Sequence, residues 1–329
     1  MWFAVTLVLG CYCTLSYVLR LKPEILHKPR RRKLAQDKRA LCLHVSHRGG
    51  AGENLENTMK AFDYAAALGT DMFEIDCQMT KDNYVVIAHD NNLLRLCGED
   101  VLISETNFYD LPPLLCTQQL AFMKGHHLTK QVPENERKIL LLEDLFKKYP
   151  AMLINIDIKT HNLKLISSVA ELVKKYQRED RTLWGNSSSA IMTSVRALNT
   201  NILLYYSGVE VIKTLFLYCT GLLPFVPVYA DCFEIPMFEI GLKYIDVVPI
   251  YSKWRPYVNL LLRVLDYFFT NEKLITHLRK RGVPTIMFVL NTEEQWERAA
   301  KCGAMGIMTD FPSQLKLWMS KNGYTPFTM

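Results

Sequence analysis

The sequence has little that would mark a zinc finger, a redox site or a dinucleotide-binding sheet. Its nine cysteines are scattered, and the CYC of residues 11–13 is not a Cys-x-x-Cys pair, so that no zinc or dithiol motif is present. No G-x-G-x-x-G run occurs, which removes the fingerprint of dinucleotide-binding folds. We therefore expect the cysteines to be reduced and mostly structural.

Excess positive charge is absent from most of the chain, although the formal net charge is +6. Between Arg20 and Arg39, nine Lys or Arg and two acids give a net charge of +7, so that the rest of the chain carries −1. A domain that binds nucleic acid would carry its positive charge on the folded body. Nucleic-acid binding is therefore not expected, and the basic segment suits anionic lipid headgroups instead.

Residues 2–19, WFAVTLVLGCYCTLSYVL, contain no charged side chain. In a helix with a rise of about 1.5 Å per residue, they come close to the roughly 30 Å hydrocarbon core of a bilayer. A buried helix is the alternative, and a cleavable signal peptide is disfavoured because no positive residue precedes the stretch. We predict a single transmembrane anchor over residues 1–21 and a basic linker over residues 22–40. The positive-inside rule places the folded body on the cytosolic side.

From residue 41 onward, apolar runs of strand length alternate with longer segments of helical period. The strand-like runs are LCLHVS, DMFEID, YVVIAHD, MLINIDIK, TLWGN, ILLYYS, IDVVPIY, TIMFVLN and AMGIMTD. Apolar strands joined through helices predict a parallel sheet that is buried on both faces. About eight such units over residues 41–323 predict an α/β fold, a (β/α)8 TIM barrel with insertions. An open doubly wound sheet is the alternative, and residues 324–329 form a short tail.

In such a barrel, chemistry collects at the C-terminal ends of the strands. Polar side chains follow the predicted strands at these positions: His47 with Arg48, Glu74 with Asp76, His89, and Asp157 with Lys159. Glu74 and Asp76 are two residues apart, and so are Asp157 and Lys159. On a strand, both side chains of each pair therefore point to the same face. Asn291 and Asp310 end two further strands, where they could belong to a site or cap the next helix.

Three carboxylates facing one cavity, those of Glu74, Asp76 and Asp157, repel each other unless a cation lies among them. Oxygen ligands alone favour a hard ion, Mg²⁺ or Ca²⁺, over zinc. Such an ion would attract an anionic substrate, and Arg48 and Lys159 would add positive charge beside it. The glycines of residues 49–52 could let backbone N–H groups approach a phosphate. An internal ion pair or a solvated strand edge remains the alternative for these acids.

The stretch HRGG, followed in order by ENT, EID, HD, IDIK and a final GIMTD, resembles the glycerophosphodiester phosphodiesterases. The ordered match runs from about Leu43 to the end of the last predicted strand. The apolar N-terminus, the GENLENTM segment and the GLLPFVP insertion resemble the membrane-anchored vertebrate branch that acts as a lysophospholipase D. The resemblance implies a hydrolase in the endoplasmic reticulum or perinuclear membranes, with no obligate protein partner.

The resemblance also implies roles for individual residues. The matching positions are His47 and His89 for the acid/base pair, Glu74, Asp76 and Asp157 for the metal ligands, and Arg48 and Lys159 for phosphate contact. In such enzymes the glycerol hydroxyl of the substrate attacks phosphorus, a cyclic phosphate forms and the headgroup alcohol leaves. Lysophosphatidylcholine would give cyclic phosphatidic acid, or lysophosphatidic acid after water opens the ring. We place His47 as the base and His89 as the acid.

Two other functions remain open, a catalytically silent barrel that binds lysolipid or inositol phosphate and a phospholipase D of the venom type. Paired proton-transfer groups disfavour the silent barrel, because binding alone does not need them. Residues 214–230, TLFLYCTGLLPFVPVYA, suggest how a lipid arrives, since the prolines disfavour a continuous span. We predict that this segment docks on the membrane and lines an acyl-chain access route through Leu222, Leu223, Phe225 and Val226.

Overall fold

Alternating strands and helices follow the N-terminal helix in the computed structural model, which describes residues 1–29, 43–121, 123, 125–198, 201–237 and 254–324. The strands are β1 (Leu43–His47), β2 (Met72–Met79), β3 (Val85–Ile87), β4 (Thr117–Gln119), β5 (His127–Thr129), β6 (Leu140–Leu141), β7 (Leu153–Ile158), β8 (Thr182–Gly185), β9 (Leu203–Leu204), β10 (Phe233–Pro236), β11 (Thr285–Phe288) and β12 (Gly306–Thr309). The helices are α1 (Trp2–Leu21), α2 (Met59–Ala67), α3 (Leu94–Cys97), α4 (Leu142–Lys148), α5 (Leu163–Lys175), α6 (Ser189–Leu198), α7 (Gly208–Cys219), α8 (Arg255–Phe269), α9 (Glu272–Lys280), α10 (Glu293–Lys301) and α11 (Pro312–Lys321).

Eight parallel strands form the barrel, in the order β10, β11, β12, β1, β2, β7, β8 and β9. A parallel bridge between Tyr205 and Cys232 joins the two ends of this sheet and closes it. Strands β3 and β6 extend the sheet antiparallel from β2, and β4 pairs with β5 in a separate hairpin. The predicted TIM barrel is confirmed.

Side-chain alternation along the strands separates an apolar barrel floor from a polar rim. Inward-facing apolar residues pack together inside the barrel, among them Leu43, Val45, Met72, Leu153, Leu203, Ile286 and Met308. Because successive inward positions are two residues apart, the same rows continue as His47 on β1, Glu74 and Asp76 on β2, and Asn155 and Asp157 on β7. The barrel therefore carries its polar groups at the C-terminal ends of the strands.

The outward-facing residues of the same strands pack against the helices. Phe73 on β2, for example, lies 5.0 Å from Phe62 of α2 between ring centroids, and Ile154 and Ile156 on β7 belong to the same buried cluster. Burial on both faces explains why these strands read as nearly continuous apolar runs. The eight cysteines among the described residues are free thiols.

One of the nine predicted strand-like runs differs from the structure, and another lies outside the described residues. The run YVVIAHD forms the short β3, which pairs antiparallel with β2 and is not one of the eight parallel barrel strands. The run IDVVPIY, residues 245–251, lies outside the described residues. The eighth barrel strand is instead β10, which the sequence did not reveal because it is four residues long and contains Glu234 and Pro236.

Helix α1 is, among the described residues, the one helix that is long and apolar enough to cross a bilayer. Residues 2–11 are exposed on every side, whereas Ser16 and Leu19 are buried against the barrel. A short 3₁₀ helix, Pro23–Ile25, follows it. The rest of the predicted basic linker, from residue 30, lies outside the described residues, and the domain limits stay predictions.

Candidate active site

His47 ends β1 with its imidazole buried inside the barrel. Its Nδ1 lies 2.6 Å from Oδ1 of Asp310, which directly follows the neighbouring strand β12. Asn291 donates to the other oxygen of this carboxylate at 2.8 Å and fixes its orientation. Burial lowers the pKa of His47 below its ordinary value, although the Asp310 charge opposes that shift. A histidine that is neutral at neutral pH can accept a proton, and the adjacent carboxylate stabilises the resulting charge.

Arg48 adopts a backbone φ of 52°, in the left-handed region that side chains other than glycine rarely adopt. Its N–H donates to the Glu74 carboxylate at 3.0 Å, and its guanidinium lies 3.0 Å from Glu56 and 3.2 Å from Asp76. Burial opposes the charge, but these carboxylates raise the pKa of Arg48 above its ordinary value. Arg48 therefore carries a permanent positive charge into the cavity that it lines.

Glu74, Asp76 and Asp157 line that same cavity together with Lys159. The Lys159 ammonium lies 2.8 Å from Asp76 and 2.7 Å from Asp157. Burial works against the charge of Asp76, but Arg48 and Lys159 hold its pKa well below the usual range. Burial raises the pKa of Glu74 well above its ordinary value, and the negative charge of Asp76 adds to this effect. The three predicted acids thus line one cavity, and Arg48 and Lys159 only partly offset the effect of burial on Glu74.

His89 lies at the cavity mouth, with 31% of its side chain exposed. Its Nδ1 is 2.6 Å from Oδ1 of Asp90, and Arg95 donates to the other Asp90 oxygen at 2.5 Å. Arg95 also donates to both carboxylate oxygens of Glu56, at 2.9 and 2.8 Å. Because Glu56 accepts from Arg48 as well, one continuous chain of charged groups links the base of the site to its mouth.

The cavity has a volume of about 560 Å³ and two chemically different sides. The polar side carries all seven residues predicted for catalysis, metal binding and phosphate contact. The apolar lining residues, Tyr206, Val211, Ile212, Pro236, Phe288, Val289 and Met308, come from α7 and from on or beside strands β9 to β12, whereas the seven polar residues lie on or just after β1, β2, β3 and β7. This arrangement fits a ligand that joins a phosphate group to an apolar part.

Four further polar residues line the cavity without having been predicted, namely Asn155, Ser187, Tyr205 and Glu234. Asn155 donates to Glu234 at 2.9 Å, and the Tyr205 hydroxyl donates to Asp157 at 3.3 Å. Burial raises the pKa of Glu234 to about 8. Counting back two residues from Asp157 along its strand would have found Asn155. No signal pointed to Glu234, because its strand was not predicted.

The ENT motif, residues 56–58, had no role assigned from the sequence, and in the structure it supports Arg48. Glu56 is buried between Arg48 and Arg95, and Asn57 donates to Asp76 at 3.1 Å. Asn57 also has a positive φ, of 57°, which asparagine tolerates better than most residues. Thr58 caps α2 by accepting from the Ala61 N–H. The ENT motif therefore positions the cationic side of the site.

The backbone N–H groups of residues 49–52 are not available to an anion, contrary to the prediction. They donate to nearby carbonyl groups instead, Gly49 to Ser46 (3.3 Å), Gly50 to His47 (2.8 Å) and Gly52 to Asp310 (2.9 Å). Glycine is required for packing, because a Cβ on Gly50 would lie 2.6 Å from Cγ of Pro312. Gly50 also has a φ of +98°, which side chains disfavour.

The segment predicted for acyl-chain access lies away from the cavity wall. Leu223 is buried in the core, Val226 packs against that core, and Phe225 stacks on Tyr12 of α1 with ring centroids 6.0 Å apart. Leu222 is 40% exposed. None of these four predicted residues is among those that line the cavity, and their role in acyl-chain access stays a prediction. Contact with a membrane stays a prediction for Leu222.

The donor chemistry of the site fits a hard cation, although two of its acids are paired with lysine. Within the ranges that the structure describes, no three His, Cys, Asp or Glu side chains are close enough together to hold a metal ion. Oδ1 of Asn155 and Oε2 of Glu234 are buried acceptors on this cavity that have no hydrogen-bond partner in the part of the chain that the structure describes. Unpaired buried oxygens and the raised pKa of Glu74 both indicate a need for positive charge.

Known proteins resemble this chain over most of its length. The profile of the glycerophosphoryl diester phosphodiesterase family matches residues 47–314. Lysophospholipase D GDPD1 of Rattus norvegicus is 41% identical over 318 residues, which cover 97% of this chain and 97% of that protein. Lysophospholipase D GDPD3 of Homo sapiens is 33% identical over 323 residues, which cover 96% and 95%.

The fold is also similar to that of a glycerophosphoryl diester phosphodiesterase domain from Mycobacterium tuberculosis, with a TM-score of 0.61. That structure is 14% identical in sequence, and the match covers 84% of this chain and 99% of the other. At this identity the likeness shows the fold alone. The matched region of the family profile begins at His47 and contains every cavity residue named above.

Proposed function

The chain belongs to the glycerophosphoryl diester phosphodiesterase family, a family of hydrolases, and we propose that it acts in this family as a lysophospholipase D. Its substrates would be lysophosphatidylcholine, lysophosphatidylethanolamine or glycerophospho-N-acylethanolamine-type diesters. The observation that carries this proposal is the two-sided cavity, in which cationic and acid/base groups face an apolar wall. A glycerophosphodiester without an acyl chain would use only the polar side.

The phosphate is held by the two cations of the site, the buried Arg48 and the partly buried Lys159. Arg48 stays charged because Glu56 and Asp76 support it, and Lys159 reaches the same cavity from the end of β7. A planar guanidinium can bind two phosphate oxygens at once, whereas an ammonium acts as a point charge. Together they stabilise the negative charge that develops on the phosphoryl oxygens during attack.

Proton transfer is assigned to the two histidines. His47 takes the proton of the substrate's glycerol hydroxyl while the hydroxyl oxygen forms a bond to phosphorus, and Asp310 stabilises the imidazolium. His89 gives a proton to the headgroup oxygen as its bond to phosphorus breaks. Burial of His47 and exposure of His89 at the mouth support this order, because the headgroup alcohol must leave toward solvent. Water can then open the cyclic phosphate to lysophosphatidic acid.

Glu74, Asp76 and Asp157 are the residues that would hold Mg²⁺ or Ca²⁺, and such an ion supplies polarisation of the phosphoryl oxygens. The unpaired oxygens of Asn155 and Glu234 lie on the same cavity and support a cation there. Tyr205 and Asn186 both donate to Asp157 and hold that carboxylate in place. These contacts orient an acid that Lys159 also binds.

Attachment to a membrane through α1, with the barrel on the cytosolic side, completes the proposal. The helix has the length and composition for insertion, and the basic residues after it suit anionic headgroups. Location in the endoplasmic reticulum or perinuclear membranes is checked by imaging the tagged full-length chain with compartment markers. Selective permeabilisation of the plasma membrane then determines on which side a C-terminal tag lies.

The activity is tested with detergent-purified protein and lysophosphatidylcholine, following choline and the phosphorus product by mass spectrometry. EDTA should stop choline release, and Mg²⁺ or Ca²⁺ should restore it. His47→Ala should abolish release, whereas His161→Ala, at an exposed position outside the cavity lining, should not. Binding of lysolipid without any release of choline would contradict the proposal and favour the silent barrel.

A further inference from the structure

Side-chain hydrogen bonds join the C-terminal half of α1 to the barrel. Three polar side chains, spaced four residues apart on one face of α1, donate to carbonyl groups at and after the end of α7: Tyr12 to Thr220 (2.5 Å), Ser16 to Gly221 (2.7 Å) and Arg20 to Tyr218 (3.1 Å). The Arg20 guanidinium also lies over the Tyr218 ring, 4.4 Å from its centroid. A Cβ on Gly221 would lie 2.9 Å from Oγ of Ser16, so the close approach needs glycine.

Helix α9 holds the end of α1 from the other side. His277 lies 3.1 Å from the carbonyl oxygen of Arg20, and Lys280 donates to the carbonyl of Leu21 at 2.7 Å. These contacts satisfy carbonyl groups that a helix leaves unpaired at its C-terminus. With polar contacts from two directions, α1 has a defined orientation relative to the barrel.

The length of α1 that projects beyond the barrel is too short to cross a bilayer. Residues 2–11 are exposed on every side and span about 15 Å, against the roughly 30 Å of the hydrocarbon core. If α1 enters the bilayer beyond that depth, the barrel surface beside Tyr12 and Ser16 must enter the lipid with it. If α1 stops there, the same surface rests on the lipid headgroups. In both cases the end of α7 lies at the membrane.

The exposed face of α7 is apolar where this geometry requires it. Val209, Ile212 and Phe216 lie three and four residues apart, and they are 66%, 51% and 62% exposed. Leu222, which is 40% exposed, follows α7 in the chain and precedes Phe225, whose ring stacks on Tyr12 of α1. An apolar helical face next to an uncharged projecting helix fits a lipid surface better than water.

Helix α7 also forms part of the catalytic cavity, because Val211 and Ile212 belong to its apolar wall. Ile212 thus lies both on the α7 face and in the cavity lining. We infer that the α7 face rests on the lipid bilayer and that the acyl chain of a lysolipid passes from the bilayer into the cavity over Ile212. This inference rests on the proposed lysophospholipase D activity, and it transfers acyl-chain access from residues 222–226 to α7.

The test compares two substrates with the full-length protein reconstituted in phosphatidylcholine vesicles. One is long-chain lysophosphatidylcholine embedded in the vesicles, and the other is a short-chain lysophosphatidylcholine that stays monomeric in water. The double variant Val209→Ser/Phe216→Ser spares every cavity residue. We expect it to lower the rate on the embedded substrate at least about tenfold, since two apolar side chains lose lipid contact, and to leave the rate on the soluble substrate unchanged.

The matched control is Leu317→Ser on α11, a helix that packs against β1 on the far side of the barrel from β9 and β10. Leu317 is 56% exposed, so the chemical change is comparable, and both rates should stay as in the wild type. An equal loss on both substrates in the α7 variant, or no loss on either, would overturn the inference. Loss on the embedded substrate alone supports it.

A measurement that needs no catalysis separates this inference from the proposed function. Tryptophan fluorescence is compared for Phe216→Trp and Leu317→Trp in vesicles whose acyl chains carry bromine, which quenches indoles in contact with lipid. We expect added quenching for Phe216→Trp alone. If the wild type cleaves neither substrate, the proposed activity fails while this quenching still decides where α7 lies. Equal quenching at the two positions, or protection of position 216 by a second copy of the chain, would overturn the inference.

Discussion

His47 ends the first strand of the barrel and Asp310 directly follows the last strand, and their side chains meet with Nδ1 and Oδ1 2.6 Å apart. The two residues are 263 positions apart in sequence, and the parallel pairing of β1 with β12 brings them together. Asn291 holds the second carboxylate oxygen, and its own side-chain oxygen accepts the backbone N–H of Asp310 at 2.9 Å. Asp310 is thus a fixed acceptor that orients the His47 ring and leaves Nε2 toward the cavity.

Asp310→Asn should lower kcat about 100-fold with little change in KM, because the asparagine cannot stabilise the imidazolium. Burial already lowers the pKa of His47, and Asp310 partly opposes this effect. Removing the carboxylate should therefore lower that pKa further and move the acidic limb of the kcat/KM profile to lower pH. Rates on lysophosphatidylcholine across the pH range test this, with Asp63→Asn at the surface as control. A shift to higher pH would contradict the role of Asp310.

The sequence left Asp310 undecided for a physical reason. A carboxylate or amide at the end of a strand can cap the next helix or face a cavity, and the two uses have the same local sequence. Glu74, Asp76 and Asp157 were easier to predict, because spacing along a buried strand determines the inward direction. Arg95 gave no signal, since its contacts to Asp90 and Glu56 depend on how the segment after β3 folds.

Predicting the barrel depended on continuous apolar strands, and it failed at the more polar strand β10. This strand contains Glu234 and Pro236, so tertiary pairing rather than local sequence pattern defines it. For the glycines after Arg48, the sequence showed the residues but not their role. Their presence was visible, but only the packed neighbours Pro312 and Ala61 show that they are needed for space rather than for an anion.

Glu56→Gln should destabilise the fold by about 3 kcal/mol, because it leaves the buried guanidinium of Arg48 short of one negative partner. Glu56 accepts from Arg48 and from Arg95, and burial works against its charge while the two arginines lower its pKa. Thermal or urea unfolding in detergent measures the loss. Glu134→Gln, at a 77% exposed acid, is the control and should change stability by less than about 0.5 kcal/mol.

A double-mutant cycle separates the ion pairs from simple loss of packing around Glu56. Adding Arg95→Met to Glu56→Gln should cost less than the sum of the two single changes, since Arg95 is then no longer left without its carboxylate. Full additivity of the two effects would show that Glu56 and Arg95 do not couple, and would remove the argument for a continuous charged chain.

Gly50→Ala should destabilise the protein by about 3 kcal/mol, through a positive φ and a close contact together. The added Cβ would lie 2.6 Å from Cγ and 2.8 Å from Cδ of Pro312, whose ring has little freedom to move away. Gly69 provides a control that isolates the two effects, because its φ is +80° but nothing lies within 4 Å of its Cβ position. Gly69→Ala should therefore cost about 1 kcal/mol. Equal losses at both positions, measured by thermal unfolding, would argue against crowding at Gly50.

Lys159→Met should change cation binding and catalysis in opposite directions. The Lys159 ammonium lies between Asp76 and Asp157, so it neutralises two of the acids proposed to hold Mg²⁺ or Ca²⁺. Without it, the carboxylates repel each other, and their demand for a divalent cation rises. We expect the rise in melting temperature that the cation produces to become larger in this variant. Activity on lysophosphatidylcholine should nevertheless fall at least about 100-fold, because one phosphate-binding charge is lost.

Calorimetric or fluorescence melting with EDTA, Mg²⁺ and Ca²⁺ measures the first effect, and choline release measures the second. Lys60→Met removes an exposed ammonium that pairs with surface Glu136, and it should leave both measurements unchanged. Asp76→Asn and Asp157→Asn should each weaken the cation effect by at least about tenfold in affinity, because they remove proposed ligands. If Lys159→Met instead weakened cation binding together with activity, the ammonium would be supporting the cation site and not competing for its acids. That result would place the cation away from Asp76 and Asp157, toward the unpaired oxygens of Asn155 and Glu234.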